Sequence, residues 1–151
     1  MPTRVQAASR KLVDSRDVKE LSRSPIEQQW VDRIVWQSFT YYPRLHKVER
    51  YLEEHLHQRL TVQDAAQVAC CEYKYFSSYF QAKVNVHFTD WVRLVRVAEA
   101  ARLLRTEDLT VYQVARRVGF RNVRALERAF RCFCGRTPAE YKASVRPEDR
   151  R

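Results

Sequence analysis

The sequence predicts an all-α protein: two helix-turn-helix modules joined by a long helix, with one more helix ahead of them. Three observations predict it. Residues 61–91 return as residues 110–141, and a period of about fifty residues that occurs only twice argues for two related modules rather than a solenoid. Glycine is nearly absent, only Gly119 and Gly135, and Pro2, Pro25, Pro43, Pro138 and Pro147 stand at edges, the punctuation of helices joined by short turns. Apolar residues recur at intervals of three and four, the helical spacing.

The copies align residue on residue. Laying Thr61-Val62 on Thr110-Val111 puts Ala66 on Ala115 and Ala69 on Val118. After one inserted residue, Phe76 falls on Leu126, Phe80 on Phe130, Asn85 on Gly135, Phe88 on Pro138 and Trp91 on Tyr141. Each copy reads as a short helix with an apolar inner face, a break, and a second helix whose outer face is free to touch something.

Taken in order, residues 1–24 are polar, mixed in charge and without periodicity, and predict a loose tail. From Pro25, the residues Ile26, Trp30, Val31, Ile34 and Val35 predict a helix that Pro43 ends. A second amphipathic helix follows, with Leu45, Val48, Tyr51, Leu52 and Leu56 on one side. Thr61 is the expected N-cap of the first repeat, whose inner face is Val62, Ala65, Ala66 and Ala69. Its second helix is predicted over residues 72–83, anchored by Phe76, Tyr79 and Phe80. The longest helix, residues 89–105, is apolar on more than one side, as expected of a strut shared by two small cores. The second repeat opens at Thr110 and breaks at Gly119, where glycine can take a positive φ. Its outer helix is predicted over residues 122–134, Gly135 ends it, and Pro138 starts the last helix.

At 151 residues the chain can form one domain or two small ones that share a helix. Its formal charge of +10, from 28 Lys plus Arg against 18 Asp plus Glu, favours a polyanionic partner, nucleic acid before a membrane surface. No stretch is apolar over the roughly 18 residues a spanning helix requires, and residues 1–10 carry no apolar run like that of a secretion signal. A soluble cytoplasmic protein is expected. Cys70-Cys71 and Cys132-x-Cys134 lack the two-residue gap and the nearby histidines of zinc sites, so they read as small buried or half-buried hydrophobes. His46, His55, His57 and His87 are not grouped with carboxylates or cysteines in a catalytic pattern; no enzyme, cofactor or metal site is expected.

The surface signal lies in the second repeat. Residues 116–136 hold seven arginines and a single acid, Glu127. With Leu126, Ala129, Phe130 and Phe133 inward, Arg124 and Arg128 lie one turn apart on the outer face. Arginine in a major groove can donate two parallel hydrogen bonds to guanine O6 and N7, so these two are the expected base readers. Arg116, Arg117, Arg121, Arg131 and Arg136 are expected phosphate contacts, which hold register without reading sequence. The competing reading is a solvated face; the helix-turn-helix pattern and the missing acids weigh against it. In the first repeat Tyr73, Lys74, Ser77, Ser78 and Gln81 are outer-face candidates with one charge, so a less strict reader is expected, with Tyr73 and Tyr75 open to simple packing.

Residues 43–144 resemble the DNA-binding domain of AraC/XylS-type transcriptional regulators. Val111-x-x-Val114-Ala115-x-x-Val118-Gly119-Phe120, then Phe130-Arg131, then Gly135-x-Thr137-Pro138-x-x-Tyr141-Lys142 look like that family's signature. The linker is similar through Phe88, Trp91, Arg96, Ala100, Leu103 and Leu104. The resemblance implies seven helices: a first module over residues 43–88, a linker helix over 89–105 and a second module over 110–145, flanked by a tail and helix at 1–42 and a charged tail at 146–151. It implies that a single chain, a monomer being sufficient, inserts both recognition helices into successive major grooves of promoter DNA, at boxes about 10 bp apart. Carried onto matching positions, base contacts fall on Lys74, Ser77, Ser78, Arg124 and Arg128, and most relatives activate transcription by touching RNA polymerase. Two departures stand out: Asn85 replaces the usual glycine after the first recognition helix, and Arg124-Ala125-Leu126 stands where a Ser-Tyr-Phe-like triplet is common. With 42 residues ahead of the match, and with Met1 and the charged ending reading as natural termini, the chain resembles the short single-domain regulators that lack an effector-binding domain. The alternative is an interaction protein whose N-terminal helix, with Trp30, Ile34 and Trp36, docks another regulator, DNA contact being secondary; exposed aromatics there would favour it.

Overall fold

Threonine writes three of the helix starts. Thr61, Thr110 and Thr137 hold extended backbone, and each hydroxyl accepts the N–H of the residue three on, Asp64, Gln113 or Glu140, whose side chain returns to the threonine N–H. These are capping boxes, which satisfy two otherwise unpaired donors at once. At the first of them the hydroxyl and N–H of Thr61 hold the Asp64 carboxyl below its ordinary pKa. Glu72 and Asn122 cap two further helices through the N–H groups of Tyr75 and Ala125, and Pro43 and Pro138 occupy first-turn positions where a missing N–H costs nothing.

The computed structural model describes residues 32–146. The starts divide that stretch into α1 (Ser38–Tyr41), α2 (Pro43–His55), α3 (Val62–Val68), α4 (Tyr73–Val84), α5 (Phe88–Thr106), α6 (Val111–Arg117), α7 (Val123–Cys134) and α8 (Pro138–Val145). Among the described residues there is no strand, and no helix is long and apolar enough to cross a membrane.

The repeat is a repeat of backbone. The turn between α3 and α4 and the turn between α6 and α7 both pass through a left-handed residue, Cys70 at φ 55° and Gly119 at φ 90°. The next N–H in each, Cys71 and Phe120, returns to the carbonyl of Ala66 and Ala115 at 3.0 and 2.9 Å, the Schellman closure of a helix end. Asn85 (φ 70°) and Gly135 (φ 69°) then end α4 and α7 in the same conformation, so asparagine does take the glycine's part. Equivalent rings also meet at one distance: Phe80 to Trp91 and Phe130 to Tyr141 are each 5.4 Å between centroids.

α5 belongs to both cores. Its buried residues include Phe88, Trp91, Val95, Ala98, Ala101 and Leu104, which lie all round the helix because each flank meets a different module. Glu99, buried on this strut, is matched by two hydrogen bonds from Arg102 at 2.6 and 2.9 Å. Near its middle the guanidinium of Arg96 donates to the carbonyls of Leu56 (3.3 Å) and Gln58 (2.7 Å), where α2 has run out of intrahelical donors. Gly119 of the second module closes on the same point: a Cβ there would run into the Leu56 carbonyl oxygen and crowd the Arg96 guanidinium.

Two expectations need correction. The helix expected from Pro25 to Pro43 is broken at residues 34–37 within its described part; residues 25–31 lie outside the described residues. The Val35 N–H bonds to the Val84 carbonyl (3.0 Å) and the Asn85 amide donates to the Arg33 carbonyl (2.9 Å), so tertiary partners replace the helical ones. The break turns Phe39 inward, where it stacks on Trp91 at 4.7 Å, and Pro43 begins α2. Ile34 is buried and Trp36 half-buried in the same way, against the first module. The cysteines also divide differently from expectation: Cys134 is buried and Cys71 half-buried, but Cys70 and Cys132 are exposed. No trio of His, Cys, Asp and Glu among the described residues is placed to hold a metal.

The matched turns generate a pair of opposite predictions. Left-handed backbone costs an L side chain about 1 to 2 kcal/mol, more than the roughly 0.5 to 1 kcal/mol that glycine loses in freedom. Cys70→Gly is expected to raise stability in urea unfolding by about 0.5 to 1 kcal/mol. Gly119→Ala, strained and driven against backbone, is expected to lower it by about 2 kcal/mol or more.

Candidate nucleic-acid interface

α7 owes its orientation to its apolar side. Leu126, Ala129, Phe130, Phe133 and Cys134 are buried, and the Asn122 cap at 2.8 Å and the Gly135 stop fix where the helix begins and ends. The opposite side is forced outward. Arg124, Arg128 and Arg131 are all exposed, as is Glu127. Among the described residues neither the Arg124 nor the Arg128 guanidinium has an intramolecular hydrogen bond or ion pair.

Arg124 and Arg128 line one wall of an open groove between the two modules. Arg116 and Arg121 line the same groove. Arg116 is held there by Tyr112, whose hydroxyl accepts from the guanidinium at 3.1 Å and whose ring lies 5.9 Å below it; that hydrogen bond raises the arginine's pKa. The structure thus brings Arg116, Arg121, Arg124 and Arg128 together. The other three sequence candidates do not line the groove: Arg117 is paired with Glu107, Arg136 reaches Ser144 (3.3 Å) over the Tyr141 ring, and Arg131 is exposed on α7.

In the first module Lys74, Ser77 and Ser78 are exposed along α4 as expected, with the Ser77 hydroxyl donating to the Tyr73 carbonyl at 3.1 Å. Tyr79 is only half-buried, with Tyr75 stacked on it at 5.9 Å, so the tyrosines form a partly exposed flank rather than core. Among the groove residues that the sequence reading did not assign to the site are His57 and Arg59 before α3, Arg93 on α5 and Tyr112 on α6. Arg93 sits beside Asp90 and Arg59 is followed within five residues by Asp64, so neither belongs to a basic run.

A family model described as "Helix-turn-helix domain" matches residues 65–144. Among curated proteins, the uncharacterized HTH-type transcriptional regulator YpdC of Escherichia coli K12 is 30% identical over 139 residues, covering 82% of this chain and 49% of the relative. The transcriptional activator NphR of a Rhodococcus species is 32% identical over 99 residues, 65% of this chain and 29% of the relative. The chain therefore spans about half the length of the first and under a third of the second. Among solved structures, the DNA-binding domain of AdpA, a global transcriptional factor crystallised with a target DNA, is 34% identical with a TM-score of 0.66, covering 72% of this chain and 98% of that one. An AraC-type regulator from Chromobacterium violaceum shares the fold at a TM-score of 0.65 and 18% identity, covering 70% and 95%.

Proposed function

Since the chain belongs to the AraC-type helix-turn-helix family of transcriptional regulators, a family of regulators and not of enzymes, we propose that it is a sequence-specific double-stranded DNA-binding activator that presents α4 and α7 to successive major grooves. The observation that carries this reading is the outer face of α7: Arg124 and Arg128, exposed, one turn apart and without intramolecular partners among the described residues, on a helix whose other face is locked in a core. Such a pair can read guanines bidentately. Lys74, Ser77 and Ser78 on α4 make the second, less strict set of base contacts.

Arg116 and Arg121 hold phosphates from the groove wall, Arg131 and Arg136 from either side, and Arg117 by exchanging Glu107 for the backbone. Exposed ion pairs are worth about 0 to 1 kcal/mol, so that exchange costs little. One chain carries both readers, which makes a monomer sufficient. The protein acts in the cytoplasm at a promoter, with RNA polymerase as its second partner and no cofactor. The crystallised AdpA–DNA complex supports the DNA partner, and the name activator borne by NphR supports the direction of regulation.

Selection of bound duplexes from a random pool is expected to return two boxes about one helical turn apart. On the selected duplex Arg128→Ala is expected to cost about 1 to 3 kcal/mol and to relax preference at one base pair. Arg121→Ala is instead expected to weaken selected and scrambled duplexes alike and to lower the salt slope by about one. An Arg128→Ala protein with unchanged affinity and preference would remove α7 from the DNA.

A further inference from the structure

The groove has a second wall that the reading above leaves unused. Besides the residues of α6 and α7, the groove is lined from the first module and the strut by His57 and Arg59, from the connection between α2 and α3, and by Arg93 on the first turns of α5. Neither arginine belongs to a helix-turn-helix surface: one comes from the first module's loop, the other from the strut. Among the described residues Asp90 is the one carboxylate lining the groove, and its contact with Arg93 is long, 3.8 Å, between an exposed arginine and a half-buried carboxylate. Such a pair is worth little and yields to a better anion. Arg96, at the floor, is already committed to the Leu56 and Gln58 carbonyls and adds its charge to the field without being free to move.

We infer that this wall is a third DNA contact: Arg59 and Arg93 grip the sugar-phosphate backbone that crosses between the two major grooves. The inference rests on the proposed placement of α7 on DNA, since a duplex that touches Arg124 and Arg128 enters this groove, and its strand must pass the facing wall. The chemistry fits a phosphate chain. Two guanidinium groups stand where, among the described residues, Asp90 is the one acid lining the groove, and its pairing with Arg93 is replaceable. The contact reads no base. It ties the two boxes together by holding the stretch that separates them, and it adds to affinity through counterion release, at a salt slope of about 0.9 per phosphate.

The test is the salt dependence of binding to a random-sequence duplex, which needs no knowledge of the target. Arg59→Ala combined with Arg93→Ala is expected to lower the slope by about two while leaving the selected base sequence unchanged. Asp90→Asn is expected to act oppositely, tightening binding about two- to fivefold by removing the repelling carboxylate. Lys47→Ala with Arg50→Ala removes the same charge from the exposed face of α2, outside the groove, and is expected to leave the slope within a few tenths of the parent. Melting curves check that each variant is folded. An unchanged slope in the groove variant, or an equal loss in the α2 variant, overturns the inference. If the unsubstituted chain enriches no sequence, the sequence-specific function fails instead, and the slope comparison still decides the groove.

Discussion

One half-buried cation holds the two modules in register. Arg96 projects from the strut onto the carbonyls of Leu56 and Gln58, groups left without donors where α2 ends. Burial pulls its pKa below the ordinary arginine value, and the hydrogen bonds it donates are what compensate that desolvation. Because the second module's Gly119 packs on the same Leu56 carbonyl, a single point joins the end of α2, the middle of α5 and the turn between α6 and α7. Lysine has one point charge where this site needs a forked donor. The groove between the modules is built over that point, since Arg96 lines it together with residues of both modules.

Above that junction the chain uses one backbone twice and one surface once. The two helix-turn-helix units share capping boxes, Schellman turns, left-handed stops and a ring contact of equal length. Their outer helices differ in chemistry. α4 offers one lysine, two serines and a tyrosine flank, whereas α7 offers three arginines. The division follows from cost: the inner residues of each copy are bound to a packed core in which a lost methylene is felt, while the outer residues are free to change. An arginine-rich face and one with a single cation can therefore sit on a common frame.

Much of this was legible from residues alone, and the reasons are local. Threonine caps, prolines at first turns and apolar spacing are properties of a few neighbouring residues, so the predicted helix over residues 122–134 returned as Val123–Cys134 and the one over 89–105 as Phe88–Thr106. The exposure of Arg124 and Arg128 on α7 was legible because a helical face is a function of spacing. What was hidden depends on residues far apart in the chain. The break at residues 34–37 is made by Val84 and Asn85, about fifty positions on. Arg117 looked like its neighbour Arg116 until Glu107 took it and Tyr112 took the other. Arg59 and Arg93 lie in stretches of mixed charge and become one wall only when α5 folds against the α2–α3 connection. Spacing placed the cysteines on helices and turns but not their exposure: Cys70 occupies a left-handed turn position that glycine fills in the other copy.

The most direct measurement of the central claim is affinity for a series of duplexes in which the two boxes are moved apart one base pair at a time, for the unsubstituted chain and for Arg96→Met, each shown to be folded. If the Arg96 junction holds the modules at a fixed separation, the unsubstituted chain will bind steeply best at one spacing, about one helical turn, and fall away by a half-turn insertion, while Arg96→Met will flatten that profile. Equal profiles for the two proteins, or tolerance of a half-turn insertion by the unsubstituted chain, would contradict the account, because the modules would then be reading DNA as independent units on a loose tether.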